Sequence, residues 1–177
     1  MTRIELEWKL VYALVVAGKS ARFTNAAVAR LRDLVGEAFP IQTIALDPKL
    51  LEVARTGRYG LIKRAIARVY LLGDLLDLRT CSPADLERIP GIGPKTARFF
   101  VVWTRPDAEF AVLDVHVLRW MRVNGWRNVP NATPTGRRYA ELERAFLEEA
   151  GRRGQTPREL DLEIWSAAAS APNLTGG

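Results

Sequence analysis

Pro90-Gly91-Ile92-Gly93-Pro94 sets two prolines and two glycines within five residues, between stretches that otherwise read as helix. Proline removes an N–H and fixes φ, and glycine takes positive φ cheaply, so no helix runs through this segment. Upstream, Ser82-Pro83-Ala84-Asp85 reads as a helix start. Ser82 is the cap, Pro83 holds the first helical position where a missing N–H costs nothing, and Asp85 stands in the first turn. A short helix to about Ile89 follows. Downstream, Pro94 pre-sets φ for a second helix that runs roughly to Val102. The expected product is two short helices joined by a tight Gly-x-Gly turn, with backbone N–H groups pointing out at a helix N-terminus. Such a turn suits a phosphate oxygen.

Lys95 falls in the first turn of that second helix, where the positive end of the dipole disfavours an ammonium and favours a neutral, nucleophilic amine. Of the 26 Lys+Arg residues, only Lys9, Lys19, Lys49, Lys63 and Lys95 are lysines. Arginine serves phosphate binding at least as well, so a lysine here favours chemistry over anchoring. Asp114 opens the next helical pattern, Val115 to Arg122, whose Val117, Leu118, Trp120 and Met121 suit a buried side. An isolated Asp114 reads as an N-cap. Paired with Lys95, it offers an amine and a carboxylate to one sugar, which points to base-excision chemistry.

At Ile89-Pro-Gly-Ile-Gly-Pro-Lys-Thr-Ala97 and Val112-Leu-Asp-Val-His-Val-Leu-Arg119 the chain resembles the helix-hairpin-helix DNA glycosylase superfamily, the endonuclease III and oxoguanine glycosylase group, in a compact form. Weaker similarity extends from about Leu6 over most of the chain. The resemblance implies an all-α helical bundle in two lobes with the active site in the cleft between them. Residues 18–124, including the hairpin over 82–102, form the central lobe of that expectation; residues 1–17 and 125–177 form the second. In it Lys95 attacks the sugar and Asp114 assists. The function implied is a bifunctional DNA glycosylase and abasic-site lyase that removes an oxidised base, 8-oxoguanine favoured, through a Schiff base and β-elimination. Its partner is double-stranded DNA carrying a damaged base or an abasic site, met by a monomer that needs no cofactor and no metal. Two alternatives stay open: a monofunctional mismatch uracil or thymine glycosylase, and a non-enzymatic hairpin module in which Lys95 is one more cation and Asp114 only a cap. Some archaeal members end in a lysine used in base recognition, whereas this sequence ends in Gly176-Gly177.

The same reading nominates DNA-contacting residues. Gly91, Gly93, Thr96 and Arg98 belong to the hairpin, Arg98 facing either a phosphate or an acid such as Glu87. Gly18-Lys19-Ser20 looks like the end of a phosphate-binding loop, but no strand or upstream glycine completes one. The resemblance places Lys19 and Ser20 near the flipped nucleotide, against simple helix termination. Arg58 and Tyr59 either fill the gap left by an extruded base or are ordinary surface residues. His116 reads as packing or a hydrogen bond, and Trp103, Trp120 and Trp165 as core, with Trp126 left open.

Composition is compatible with this. A formal net charge of +6 and a pI near 9.9 suit a polyanionic partner without requiring one. One cysteine, Cys81, excludes an intrachain disulfide and the four-cysteine iron–sulfur cluster that many endonuclease III relatives carry. It reads as a partly buried thiol beside the Ser82 cap; one Cys and one His build no zinc site. Thr2 to Glu7 is too polar for a secretory signal, and Leu10 to Ala17 too short for a membrane span. The expectation is a cytoplasmic protein, nucleoid-associated when bound to DNA, with no membrane partner.

Helical periods dominate elsewhere and no alternating strand stands out. Helix one is expected over about Ile4 to Ala17 with Leu6, Leu10, Tyr12, Ala13 and Val16 inward, and helix two over Ala21 to Phe39, ended by Pro40. Asp47-Pro48 starts a short helix that stops at Gly57, and Tyr59 to Leu76 supplies a long one. A loop spans Gly125 to Gly136, a charged amphipathic helix Arg137 to Gly151, and a capping box at Thr156-Pro-Arg-Glu159 opens a last helix to about Ala169. The final seven residues, 171–177, read as a mobile tail or a short closing segment.

Overall fold

The computed structural model describes residues 1–170; the expected tail over 171–177 lies outside them. The described residues form α-helices and one short 3₁₀ turn, with no strand. The all-α expectation holds. One compact unit covers Met1–Thr104, and a second begins at Arg105. No helix among the described residues is long and apolar enough to cross a membrane.

The first unit holds α1 (Arg3–Val16), α2 (Ala21–Val35), α3 (Pro40–Leu46), α4 (Lys49–Val53), α5 (Tyr59–Leu72), the 3₁₀ turn Gly73–Leu75, α6 (Pro83–Glu87) and α7 (Pro94–Thr104). α1 packs on α2, α3, α5 and α7. It is buried nearly all round, through Leu6, Trp8, Leu10, Val11, Ala13, Leu14 and Val15, where a one-sided stripe was the expectation; Tyr12 and Val16 are half-buried. Each such Leu or Val contributes about 1.5–3 kcal/mol by leaving water. These contacts place α1 in the first unit, so the compact units do not follow the expected grouping of residues 1–17 with the C-terminal helices.

Pro40 opens a helix rather than ending one. Gly36, at φ +65°, closes α2 four residues earlier, its N–H donating to the Arg32 carbonyl at 2.8 Å. Pro40 then stands at the start of α3. The Ile41 N–H behind it donates to Glu7 Oε2 at 3.1 Å, while Glu7 Oε1 accepts from Arg3 Nε at 3.0 Å. A buried acid on α1 thus caps a helix 34 residues away, a relation that local sequence cannot display. α5 stops at Leu72 before Gly73, short of the expected Leu76.

The second unit holds α8 (Val115–Val123), α9 (Gly136–Arg152) and α10 (Pro157–Ser170). Its core joins Val117, Leu118 and Met121 of α8 to Tyr139, Leu142 and Phe146 of α9 and Leu160 and Ile164 of α10. Trp120 and Trp126 pack against it, partly buried. The Thr156 capping box forms as expected: Thr156 Oγ1 accepts from Glu159 N–H at 3.2 Å and Thr156 N–H donates to Glu159 Oε2 at 2.7 Å.

Candidate functional site

The hairpin forms where the proline and glycine spacing places it. Ser82 caps α6, its hydroxyl accepting from Asp85 N–H at 3.2 Å while its own N–H donates back to Asp85 Oδ2 at 2.9 Å. The Ser82 hydroxyl, which donates to Asp85 Oδ2 at 2.7 Å, and then the Ser82 N–H hold the Asp85 carboxyl below the usual aspartate range. Cys81 beside the cap is buried. Gly91 takes φ +100°, and a Cβ there would lie 2.8 Å from the Leu61 carbonyl oxygen of α5. Gly93 needs no positive φ and has open space around it, so only one of the two glycines is sterically obligatory. Ala97 N–H donates to the Gly93 carbonyl at 3.0 Å, which leaves the N–H groups before it without an intrahelical i−4 carbonyl.

Lys95 is half-buried in the first turn of α7. One and two turns on, along the same helix face, stand Phe99 and Trp103. Their rings are 5.0 Å apart, Tyr12 of α1 lies 4.9 Å from Trp103, and Lys9 Nζ sits 3.6 Å above the Trp103 ring. Trp103 is half-buried in this aromatic ridge rather than a core residue. Thr96 is buried. Arg98 pairs with Glu87 across the hairpin at 2.5 Å, the acid of the two partners its position allowed.

Lys19, Ser20, Arg58 and Tyr59 are gathered where two loops meet. Lys19 Nζ donates to the Thr56 carbonyl and lies 4.6 Å over the Phe23 ring; Arg58 Nη1 donates to the Ala17 carbonyl at 3.1 Å. Burial, with the Arg58 charge second, pushes the Lys19 ammonium pKa down. Ser20 caps α2 through Phe23 N–H at 3.3 Å. Arg58 takes a left-handed φ of +50°, and Tyr59 is exposed at the start of α5. Lys19 is therefore a loop tie as well as a cation. The Gly91–Leu61 contact sets the hairpin turn against the first turn of α5, which begins at Tyr59.

In the second unit Asp114 is buried and caps α8. Its Oδ1 accepts from His116 and Val117 N–H, both at 2.9 Å. Its Oδ2 accepts from Trp165 Nε1 of α10 at 3.0 Å. The chain reaches Asp114 through a strap tied to α9: Ala111 N–H donates to Glu143 Oε1 at 3.0 Å, and Leu113 N–H donates to the Tyr139 hydroxyl at 3.2 Å. That hydroxyl donates in turn to the Ala111 carbonyl at 2.7 Å.

Comparison with known proteins agrees with this geometry. The helix-hairpin-helix motif model matches residues 74–98. The 8-oxoguanine DNA glycosylase/AP lyase of Picrophilus torridus is 36% identical over 80 residues, which is 45% of this chain and 37% of that protein. The chain is thus matched to little more than a third of that relative's length. The crystal structure of the 8-oxoguanine DNA glycosylase of Thermotoga maritima superposes with a TM-score of 0.67 at 27% identity, over 93% of this chain and 79% of that one. In motif, sequence and fold the chain is similar to helix-hairpin-helix DNA glycosylases.

Three residues have roles here that the sequence does not announce. Tyr139 and Glu143 lie on the apolar side of α9 and carry the polar atoms that hold the strap before Asp114. Trp165, expected in the core, is half-buried with its indole N–H on the carboxylate and its ring against His116, centroids 4.9 Å apart. Tyr139 and Glu143, polar groups among the buried positions of α9, are the sequence signal for the strap.

Proposed function

We propose that this chain is a member of the helix-hairpin-helix DNA glycosylase superfamily, a bifunctional DNA glycosylase and abasic-site lyase that acts as a monomer on double-stranded DNA, with 8-oxoguanine as its base. The observation that carries the reading is Lys95, a half-exposed amine in the first turn of α7 next to the Gly91–Gly93 turn. The 8-oxoguanine choice is supported by the names of the two similar proteins. A net charge of +6 suits the polyanion.

In this reading the hairpin N–H groups at the α7 N-terminus hold a backbone phosphate. The damaged base leaves the stack, at a cost of a few kcal/mol. The neutral Lys95 amine attacks C1′ of the deoxyribose, the new C–N bond forms as the bond to the base breaks, and the base departs with the electron pair and takes up a proton. The ionised Asp114 stabilises the positive charge that builds on the sugar. Ring opening gives a Schiff base on Lys95, which acidifies C2′. Loss of a C2′ proton then expels the 3′ phosphate and cuts the strand, and water releases the lysine.

Borohydride trapping tests this, using wild type and Lys95→Gln on duplexes carrying 8-oxoguanine, thymine glycol, uracil or an abasic site. The expected result is a covalent adduct with wild type and none with the variant, and base release from the 8-oxoguanine duplex. One observation favours a second reading, a hairpin module without chemistry: the cap and Trp165 bonds give Asp114 a structural role complete in itself. That reading expects no adduct on any duplex, and only a modest loss of affinity with a lower salt slope in Lys95→Gln.

A further inference from the structure

Asp114 is held by more than a helix cap needs. One oxygen satisfies an N-cap, and Asn, Ser or Thr supplies it as well as Asp does. Here Oδ1 alone takes both cap N–H groups, and Oδ2 takes the indole N–H of Trp165 at 3.0 Å. The indole calls for a second acceptor on the same side chain, and among good capping residues only a carboxylate has one. An asparagine bonded to the cap through its oxygen would turn its NH₂ donors on the indole donor. Rotation of a carboxylate about Cβ–Cγ is soft, so the indole bond also sets the plane of the group. Trp165 is steadied in turn by its ring contact with His116, at an interplanar angle of 56°.

We propose that Trp165 is a positioning residue for Asp114, its indole N–H selecting a carboxylate at that position and fixing the direction it faces. The consequence for catalysis rests on the glycosylase reading above; the link between the two side chains does not.

The test uses the full chain. In ¹⁵N–¹H spectra the Trp165 indole resonance, assigned by its loss in Trp165→Phe, is expected to move more than any other indole on Asp114→Asn. Asp114→Asn is also expected to be less destabilising in the Trp165→Phe background, because the donor–donor conflict is gone. Phe keeps a ring against His116. It is therefore expected to leave duplex Kd within about twofold while lowering single-turnover cleavage of an 8-oxoguanine duplex about tenfold. An indole resonance unmoved by Asp114→Asn, or Trp165→Phe cleaving at the wild-type rate, would overturn the positioning role. A wild type that cleaves no lesion duplex would remove the glycosylase reading alone. The resonance shift and the paired stability measurements would then decide the Trp165–Asp114 link by themselves.

Discussion

Gly91 approaches Leu61 so closely that a Cβ on the glycine would stand 2.8 Å from the Leu61 carbonyl oxygen, with the backbone already at φ +100°. Steric conflict and left-handed strain add at this one position. Gly91→Ala is expected to destabilise the chain by about 1–3 kcal/mol or more, while Gly93→Ala, with nothing near its Cβ, stays within about 0.5 kcal/mol. Urea denaturation of both variants checks the contrast; equal effects would mean that the turn does not rest on α5 through Gly91.

Tyr139→Phe removes one hydroxyl that serves two buried backbone groups, Leu113 N–H and the Ala111 carbonyl. The ring still fits, so the loss is one of hydrogen bonding. A destabilisation of about 1–3 kcal/mol is expected, read as a lower urea midpoint at unchanged slope. An unchanged midpoint would show that the strap does not depend on the Tyr139 hydroxyl.

The capping box at Ser82 makes stability depend on acid. The Asp85 carboxyl has a folded-state pKa below its unfolded one, so the stability it contributes is complete above the ordinary aspartate value and is lost as pH falls through the lowered one. Wild type is expected to melt higher than Asp85→Asn near neutral pH, with the gap closing in acid below about pH 4. Melts taken across that range decide it, and a gap that persists unchanged in acid would contradict the assignment.

Lys95→Arg separates charge from nucleophilicity. Arginine keeps the cation and its phosphate contact but does not lose its proton in proteins. Under the glycosylase reading, duplex affinity is expected to hold within about threefold while borohydride trapping disappears. Retained trapping would move the nucleophile elsewhere.

Local punctuation in the sequence translates directly into structure. The Ser82 and Thr156 boxes, the Asp114 cap and the Arg98–Glu87 pair each join groups that lie close along the chain or across one turn. The features that sequence reading misses are side-chain bonds to distant backbone or side chains: Glu7 on Ile41, Lys19 on Thr56, Tyr139 on Ala111 and Trp165 on Asp114. A periodic pattern reports which face of a helix is apolar, and says nothing of which carbonyl a lone donor on that face will reach. The same limit explains Pro40: helix stop and helix start look alike until the acid that caps the start is found on another helix. It also explains α1, whose burial on nearly every side reflects four neighbouring helices rather than its own stripe.

The two oxygens of Asp114 depend on parts of the chain that lie at very different distances. Oδ1 is satisfied within three residues, whereas Oδ2 waits for a partner 51 residues later. A polypeptide ending after α9 would keep both donors of the cap and lose the donor that sets the orientation. In such a fragment α8 retains its start signal while Oδ2 has lost its partner, so protection of the His116 and Val117 amides from hydrogen exchange would be a poor guide to whether the site is assembled.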